Sequence, residues 1–306
     1  MANLKEIKGR ITAIQSTRQV TRTMEMVSTA KIRGAQNKAE AAQPYAQALA
    51  HILSDLRRAG AGVSHPLLEE HDECKRVMIV AITSDRGQAG GFNSGIIHLV
   101  EQARAEALAQ GLEVELVCYG RKAVSYFQYR DITCDVSITG NSGSPVFADA
   151  QSLASRIIRE YSESLIDRVD IFYNHFVNVA RQVPEDVTFL PVKIEEAAPV
   201  AEDADGTAAT QTGNANTAAL EYIFEPSADA VLKTLLPTYV EAELFGYFLE
   251  SAEAEHGARR TAMKAATDNA TEMIQTLTRS YNRARQGAIT TEISEIVGGA
   301  AALEEQ

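Results

Sequence analysis

The chain has 306 residues, 45% of them hydrophobic and 23% charged, with a formal net charge of −12. That is ordinary for a globular protein, and no run of about 18 apolar residues is present to cross a membrane as a helix. The start, Met1-Ala2-Asn3-Leu4-Lys5-Glu6, has neither an apolar leader core nor an Arg/Ser-rich transit stretch, which points to a bacterial-type cytoplasm. Cys74, Cys118 and Cys134 form no CxxC pair, so the expectation is reduced, structural thiols.

In chain order, residues 4–58 contain one Pro (Pro44) and two Gly (Gly9, Gly34) and read as one helix roughly 80 Å long. Leu4, Ile7, Ile11 and Ile14 are spaced 3-4-3, and the apolar pattern resumes one turn out of phase at Val20, Met24 and Val27. So narrow a stripe is a coiled-coil seam, with a local change of supercoil expected at the slip. Residues 1–38 carry eight bases against two acids, a local charge of +6. This is either a solvated face or a surface for an acidic partner. Nucleic acid is not the expected partner, because the basic stretches lack interleaved aromatic platforms.

The middle of the chain reads as an α/β domain, spanning 75–225. Val77–Ile82 is a continuous apolar run, as in a strand buried on both faces. Gly95–Gln110 reads as a helix capped by Asn93 or Ser94 and stopped by Gly111. Leu112–Tyr119 reads as a strand, Arg121–Tyr129 as a helix, and Ile132–Ile138 as a third strand. Asp149–Ile166 is amphipathic, with Leu153, Ile157, Ile158 and Leu165 on one side. Asp170–Val179 alternates like a more exposed strand, and Leu220–Phe224 resumes strand character. Successive β-α-β units imply a small Rossmann-like, parallel or mixed sheet. Residues 197–217 are rich in Ala, Thr, Asn, Gly and acids, and five acids fall within 195–206 without a base. They read as a disordered acidic excursion.

Pro226 and Ser227 then open a short helix leading to Pro237, and a second rod follows from about Thr238, roughly 90 Å long; together they form the C-terminal helical region, 227–306. Its apolar stripe runs through Phe245, Phe248, Leu249, Ala252, Met263, Ala266, Ala270, Met273, Leu277, Tyr281, Ala284, Ala288, Ile293 and Ile296. The small residues Ala262, Ala265, Ala266 and Ala270 let a partner backbone approach. A compact domain of this size has a radius of gyration of only about 20 Å, so the two rods are expected to pair as an antiparallel coiled coil that projects from it.

The turn Thr83-Ser84-Asp85-Arg86-Gly87-Gln88-Ala89-Gly90-Gly91-Phe92-Asn93 follows a strand and opens a helix, where phosphates bind in nucleotide-handling folds. It fails both templates: there is no Gly-Lys-Ser/Thr ending, and GxxGG replaces GxGxxG. The six His show no metal-ligand spacing, no GxSxG elbow is present, and no nucleophile, base and orienter assemble. No catalytic residue, cofactor or metal is expected.

Three blocks together resemble the γ subunits of F-type ATP synthases of the bacterial type. They are Ile14–Gln36 (IQSTRQVTRTMEMVSTAKIRGAQ), the turn TSDRGQAGGFN at 83–93, and 254–301. The last contains AEHGARR, MKAATDNA and YNRARQGAITTEISEIVGGA. The likeness is collinear over nearly the whole chain. Gln88-Ala89 replace the Leu-Cys common in that turn, and the dithiol insertion of chloroplast members is not seen.

The resemblance implies a central rotor shaft. Its coiled coil threads three α and three β subunits, and its α/β foot meets ε and the membrane c-ring. Ion flow turns the ring, and the shaft drives the catalytic β sites through their cycle of ATP synthesis, coupled to proton transport. It implies a non-catalytic subunit, peripheral on the cytoplasmic face of the inner membrane. Residue by residue, it carries a β-facing role onto Met24, Arg259, Arg285, Gln286, Thr290 and Glu292, with Lys31 and Arg33 near Met24. A c-ring and ε contact falls on Tyr222 and Glu225. The alternatives from the residues alone are a nucleotide-binding α/β enzyme using the Gly87–Gly91 turn, and a passive coiled-coil scaffold.

Overall fold

The structure is a computed structural model that describes residues 4–58, 65–71, 73–193 and 227–304. The expected acidic excursion at 197–217, the strand at 220–224, and Tyr222 and Glu225 lie outside the described residues. The elements are α1 (Leu4–Arg58), β1 (Arg76–Ile82), α2 (Phe92–Ala109), β2 (Glu113–Tyr119), α3 (Arg121–Tyr129), β3 (Val136–Ile138), α4 (Phe147–Ser162), β4 (Arg168–Asn178), β5 (Arg181–Leu190) and α5 (Ala228–Glu304).

The five strands form one sheet in the order β3-β2-β1-β4-β5. The first four are parallel, and β5 returns antiparallel to β4. Alternation in β1 divides the core. Val77, Ile79 and Ala81 point under α2 and α3, whereas Met78, Val80 and Ile82 face α4, α5 and the end of α1. A strand buried on both faces needs an apolar residue at every position, which is why this run stands out in the sequence.

β4 is not the exposed strand expected. Paired on both sides, it buries Val169, Ile171, Phe172, Tyr173 and Asn174. The strand that covers it, β5, escapes sequence reading because it alternates with polar residues and contains Pro184. Proline removes a ladder donor and is tolerated on an edge strand. The third strand is shorter than expected, confined to Val136–Ile138. α4 stops at Ser162, so Leu165 is 44% exposed and Ile166 enters the core instead. Neither Asn93 nor Ser94 caps α2; Gly91 holds that position without a side-chain bond.

α1 has 55 residues and α5 has 77, or roughly 80 and 115 Å of helix. They run antiparallel, since Thr21 meets Thr267 while Gln36 meets Glu253. The expected phase slip in α1 does not occur. Buried and half-buried positions keep an unbroken 3-4 spacing through Leu4, Ile7, Ile11, Ile14, Arg18, Thr21, Glu25, Ser28, Ile32 and Ala35. Val20 and Val27 lie off the seam at 57% and 52% exposure. Polar residues fill the seam there, and one pair is bonded across it: the Thr21 and Thr267 hydroxyls are 2.8 Å apart. Opposite them, α5 offers Met263, Thr267, Ala270, Ile274, Leu277, Tyr281 and Ala284 in the same 3-4 spacing. Ile274 takes the place expected for Met273, which is 52% exposed. A heptad kept in register on both helices gives one continuous left-handed supercoil.

The break expected at Pro237 is also missing, and α5 runs through it. An interior proline costs about 3 kcal/mol. Around it Leu232, Leu236, Val240 and Leu244 are all at most 3% exposed in the core facing α4, and their burial offsets that cost.

Candidate functional site

The turn at 83–93 docks on α5. Arg259, only 8% exposed, donates from Nη1 to Glu255 Oε1 at 2.7 Å. From Nη2 it donates to the carbonyls of Arg86 and Gly87 at 3.0 and 3.3 Å. The other carboxylate oxygen of Glu255 accepts from the Ser142 hydroxyl at 3.0 Å. Ser142 Oγ in turn accepts from the Asp85 amide at 2.8 Å. The Asp85 carboxylate gathers the amides of Gly140, Ser142 and Arg121 at 2.9 to 3.0 Å. Burial pushes the Asp85 carboxyl up, but these amides outweigh it and hold its pKa below the ordinary value. The turn, the start of α3, the loop before α4 and the middle of α5 thus form one bonded cluster.

Local packing fixes the same geometry. Ala89 and Phe92 pack against Ala254, beside Phe176 and Ala258. Gln88 and Gly90 adopt left-handed backbone, with φ of 64° and 58°. On the far side Gly257 admits the facing ends of β4 and β5, since a Cβ there would lie 2.9 Å from Gln182 Nε2 and 3.3 Å from the Phe176 ring. His256 Nε2 is 2.8 Å from the Gly143 carbonyl, which requires the ring proton on that nitrogen. Burial lowers the pKa of this histidine, and the Gly143 bond and Glu255 only partly counter it.

This geometry opposes a nucleotide site. A phosphate cradle presents amide hydrogens, whereas this turn presents two carbonyls to a guanidinium. The Ser84 amide is already bonded to Asn93 Oδ1 and the Asp85 amide to Ser142. Among the described residues no group of three or more His, Cys, Asp or Glu is placed to hold a metal ion. No described helix is long and apolar enough to cross a membrane.

The residues assigned a β-facing role by resemblance fall in three places. Met24 is half-buried on α1 and lines a cleft of about 410 Å³ with Val27, Lys31 and the Asp85–Gln88 turn. Lys31 and Arg33 are exposed nearby. Arg259 is turned into the chain, and its bonds satisfy Glu255 and the turn. Arg285, Gln286, Thr290 and Glu292 lie together some 26 residues further along α5, roughly 40 Å away. There the seam has ended: Ala284 is half-buried beside the start of α1, and every residue from Arg285 to Val297 is exposed. On this lone helix Ile289, Ile293, Ile296 and Val297 form one stripe, at 44%, 56%, 68% and 62% exposure. The sequence reading missed the Asp85–Ser142–Glu255 chain of bonds. Its only trace in the sequence is the i, i+4 pairing of Glu255 with Arg259 in an otherwise small-residue helix.

A family model described as ATP synthase matches residues 3–303. The ATP synthase gamma chain of Leptospira biflexa serovar Patoc is 40% identical over 303 residues, covering 99% of this chain and all of that one. The ATP synthase gamma chain of Symbiobacterium thermophilum is 43% identical over 303 residues, covering 99% of each. In fold, the chain is similar to one from the Euglena gracilis mitochondrial ATP synthase OSCP/F1/c-ring structure, with a TM-score of 0.62, 17% identity, and 98% and 94% of the two chains covered. A chain from the Tetrahymena thermophila mitochondrial ATP synthase central stalk/c-ring structure aligns at a TM-score of 0.56 and 21% identity, covering 81% of this chain and 99% of that one.

Proposed function

The chain belongs to the ATP synthase gamma-chain family, and on that premise we propose that it is the non-catalytic rotor shaft of an F1Fo motor. The shaft stands inside three α and three β subunits. Its α/β foot rests on ε and the membrane c-ring, at the cytoplasmic face of a bacterial inner membrane. Ion-driven rotation of the ring turns the foot, and the coiled coil carries that rotation to the catalytic β subunits. Transport of protons is thereby coupled to ATP synthesis by a rigid element with discrete positions.

One observation carries this reading: α5 is fastened into the α/β domain at Arg259, then outruns its coiled-coil partner as a bare helix with an apolar stripe. Fully burying an aliphatic side chain is worth about 1.5–3 kcal/mol. A stripe of four such residues on an unsupported helix is therefore suited to a surrounding collar. Arg285, Gln286, Thr290 and Glu292 supply the polar contacts to β along the same stretch, and Met24 with Val20 and Val27 supplies a second contact on α1. Arg259 acts from within, locking the foot to the rod. Tyr222 and Glu225 are assigned to the contact with the c-ring and ε.

Co-expression with the α and β subunits of the same organism tests the proposal. The expected result is a stable complex whose ATPase turnover depends on this chain and is lost when α5 is cut after Ala284. No association, with nucleotide binding by the isolated chain instead, would overturn it.

A further inference from the structure

Cys118 lies in β2 at 0% exposure, and Cys134 is half-buried in the connection from α3 to β3. Although 16 residues apart in the chain, their sulfurs are 2.9 Å from one another. The approach is set by the sheet. The Asp135 amide donates to the Leu116 carbonyl at 2.8 Å, and the Leu116 amide donates to the Asp135 carboxylate, also at 2.8 Å. Beyond them β3 pairs in parallel with β2, placing Ser137 opposite Cys118. Both cysteines belong to the core under α3, beside Ala123 and Phe127. Cys74, the third, is exposed elsewhere.

We propose that Cys118 and Cys134 are a reversible dithiol–disulfide site, oxidised by a peroxide and reduced by a dithiol. Cys134 is the more accessible and meets the oxidant first. Its sulfur attacks one peroxide oxygen, the O–O bond breaks, an S–O bond forms, and one water leaves. Cys118 sulfur then attacks Cys134 sulfur. The S–S bond forms as the S–O bond breaks, and the hydroxyl leaves with the Cys118 proton as a second water. Two electrons pass from the two thiols to the peroxide. A dithiol reductant returns two electrons and two protons through a mixed disulfide and leaves as its own disulfide.

The environment sets the order and the rate. Burial pushes both thiols up, Cys118 the more. The bond from Cys118 works the other way for Cys134, so the first thiolate forms there. Buried, protonated thiols react slowly, so the site answers sustained oxidant rather than a brief pulse. The closed ring encloses all of α3 and the corner at Gly120, where a Cβ would lie 2.1 Å from the Thr83 carbonyl. The Tyr119 carbonyl in that corner accepts from the Thr83 amide at 2.8 Å. The covalent link therefore lies next to the seat of the turn that holds Arg259.

The test uses the full chain carrying Cys74→Ser, treated with hydrogen peroxide, digested without reductant and mapped by mass spectrometry. The expected product is a peptide pair joined through Cys118 and Cys134, with both alkylatable thiols lost and both restored by dithiothreitol. Closing a loop of this length raises the unfolding midpoint by several degrees, and Cys134→Ser and Cys134→Ala abolish that rise. Oxidation of Cys134 to a sulfinic acid without capture by Cys118 would overturn the proposal. So would persistence of both free thiols after prolonged treatment.

Discussion

Between Ser251 and Gly257 every residue of α5 is buried, whereas from Arg285 to Val297 every residue is exposed, although both stretches are turns of one uninterrupted helix. The first is wedged between α1 and the α/β domain and has no solvent side to spend on polar residues. It is built instead from small residues and from charges that answer one another, such as Glu255 and Arg259. The second has an apolar stripe and charged neighbours but nothing to pack on. Amphipathic pattern reports how many sides of a helix are occupied. It fades where all are, and it survives where the occupant is another molecule.

Breaking the wedged stretch should cost most. Arg259→Ala leaves Glu255 buried without its cation, and loss of one partner of a buried pair costs about 3–5 kcal/mol. Urea unfolding of the full chain should read that loss, and a change below about 1 kcal/mol would show that the cluster does not hold the domain to the rod. Gly257→Leu should cost about 1–3 kcal/mol by overpacking against Gln182 and Phe176, measured the same way. Further out, Thr267→Val should cost about 1 kcal/mol through the lost bond to Thr21. Full stability in that variant would mean that the polar seam is held by its backbones alone.

His256 adds a pH dependence with a definite sign. Its pKa is lowered in the folded chain from the ordinary 6.5, so below 6.5 the unfolded chain takes up the proton and the folded one resists it. Stability is fully present above 6.5 and falls as pH drops from there toward the folded value. Thermal unfolding from pH 8 to pH 5.5 should show a decline that His256→Gln flattens; parallel profiles would exclude His256 as the source.

At the tip the expectation is reversed. Ile293→Ser and Arg285→Ala should leave the isolated chain within about 0.5 kcal/mol of its original stability. If Arg285 faces β as proposed, Arg285→Ala should remove a charge-assisted contact worth about 1–3 kcal/mol from the assembled motor and loosen coupling of ATPase turnover to ion transport. Normal coupled turnover in that variant would remove Arg285 from the β-facing set.

What could be read from the chain alone follows the same division. Helix lengths, the doubly buried β1 and the parallel sheet rest on long apolar periodicities, and these are local signals. The seam through Arg18, Thr21, Glu25 and Ser28 has no apolar period to show it, and the bond that Thr21 makes across it goes to Thr267, 246 residues away in sequence. The apolar spacing alone points instead to Val20 and Val27, which are 57% and 52% exposed. Pairings such as Ser142 with Glu255 or Cys118 with Cys134 leave no periodic trace at all. The turn at 83–93 stood out as a motif, but only the direction of its carbonyls showed that it grips an arginine.

The passage of α5 through Pro237 has a mechanical consequence. Because α5 continues as one helix from the hydrophobic layer facing α4 to the far end of the rod, lacking only the bond that Pro237 cannot donate, an applied twist is carried along helix throughout and crosses no loop. Load entering at either end spreads as a shallow elastic wind-up along roughly 115 Å of helix. The angular lag between the ends then grows smoothly with force instead of slipping at a joint.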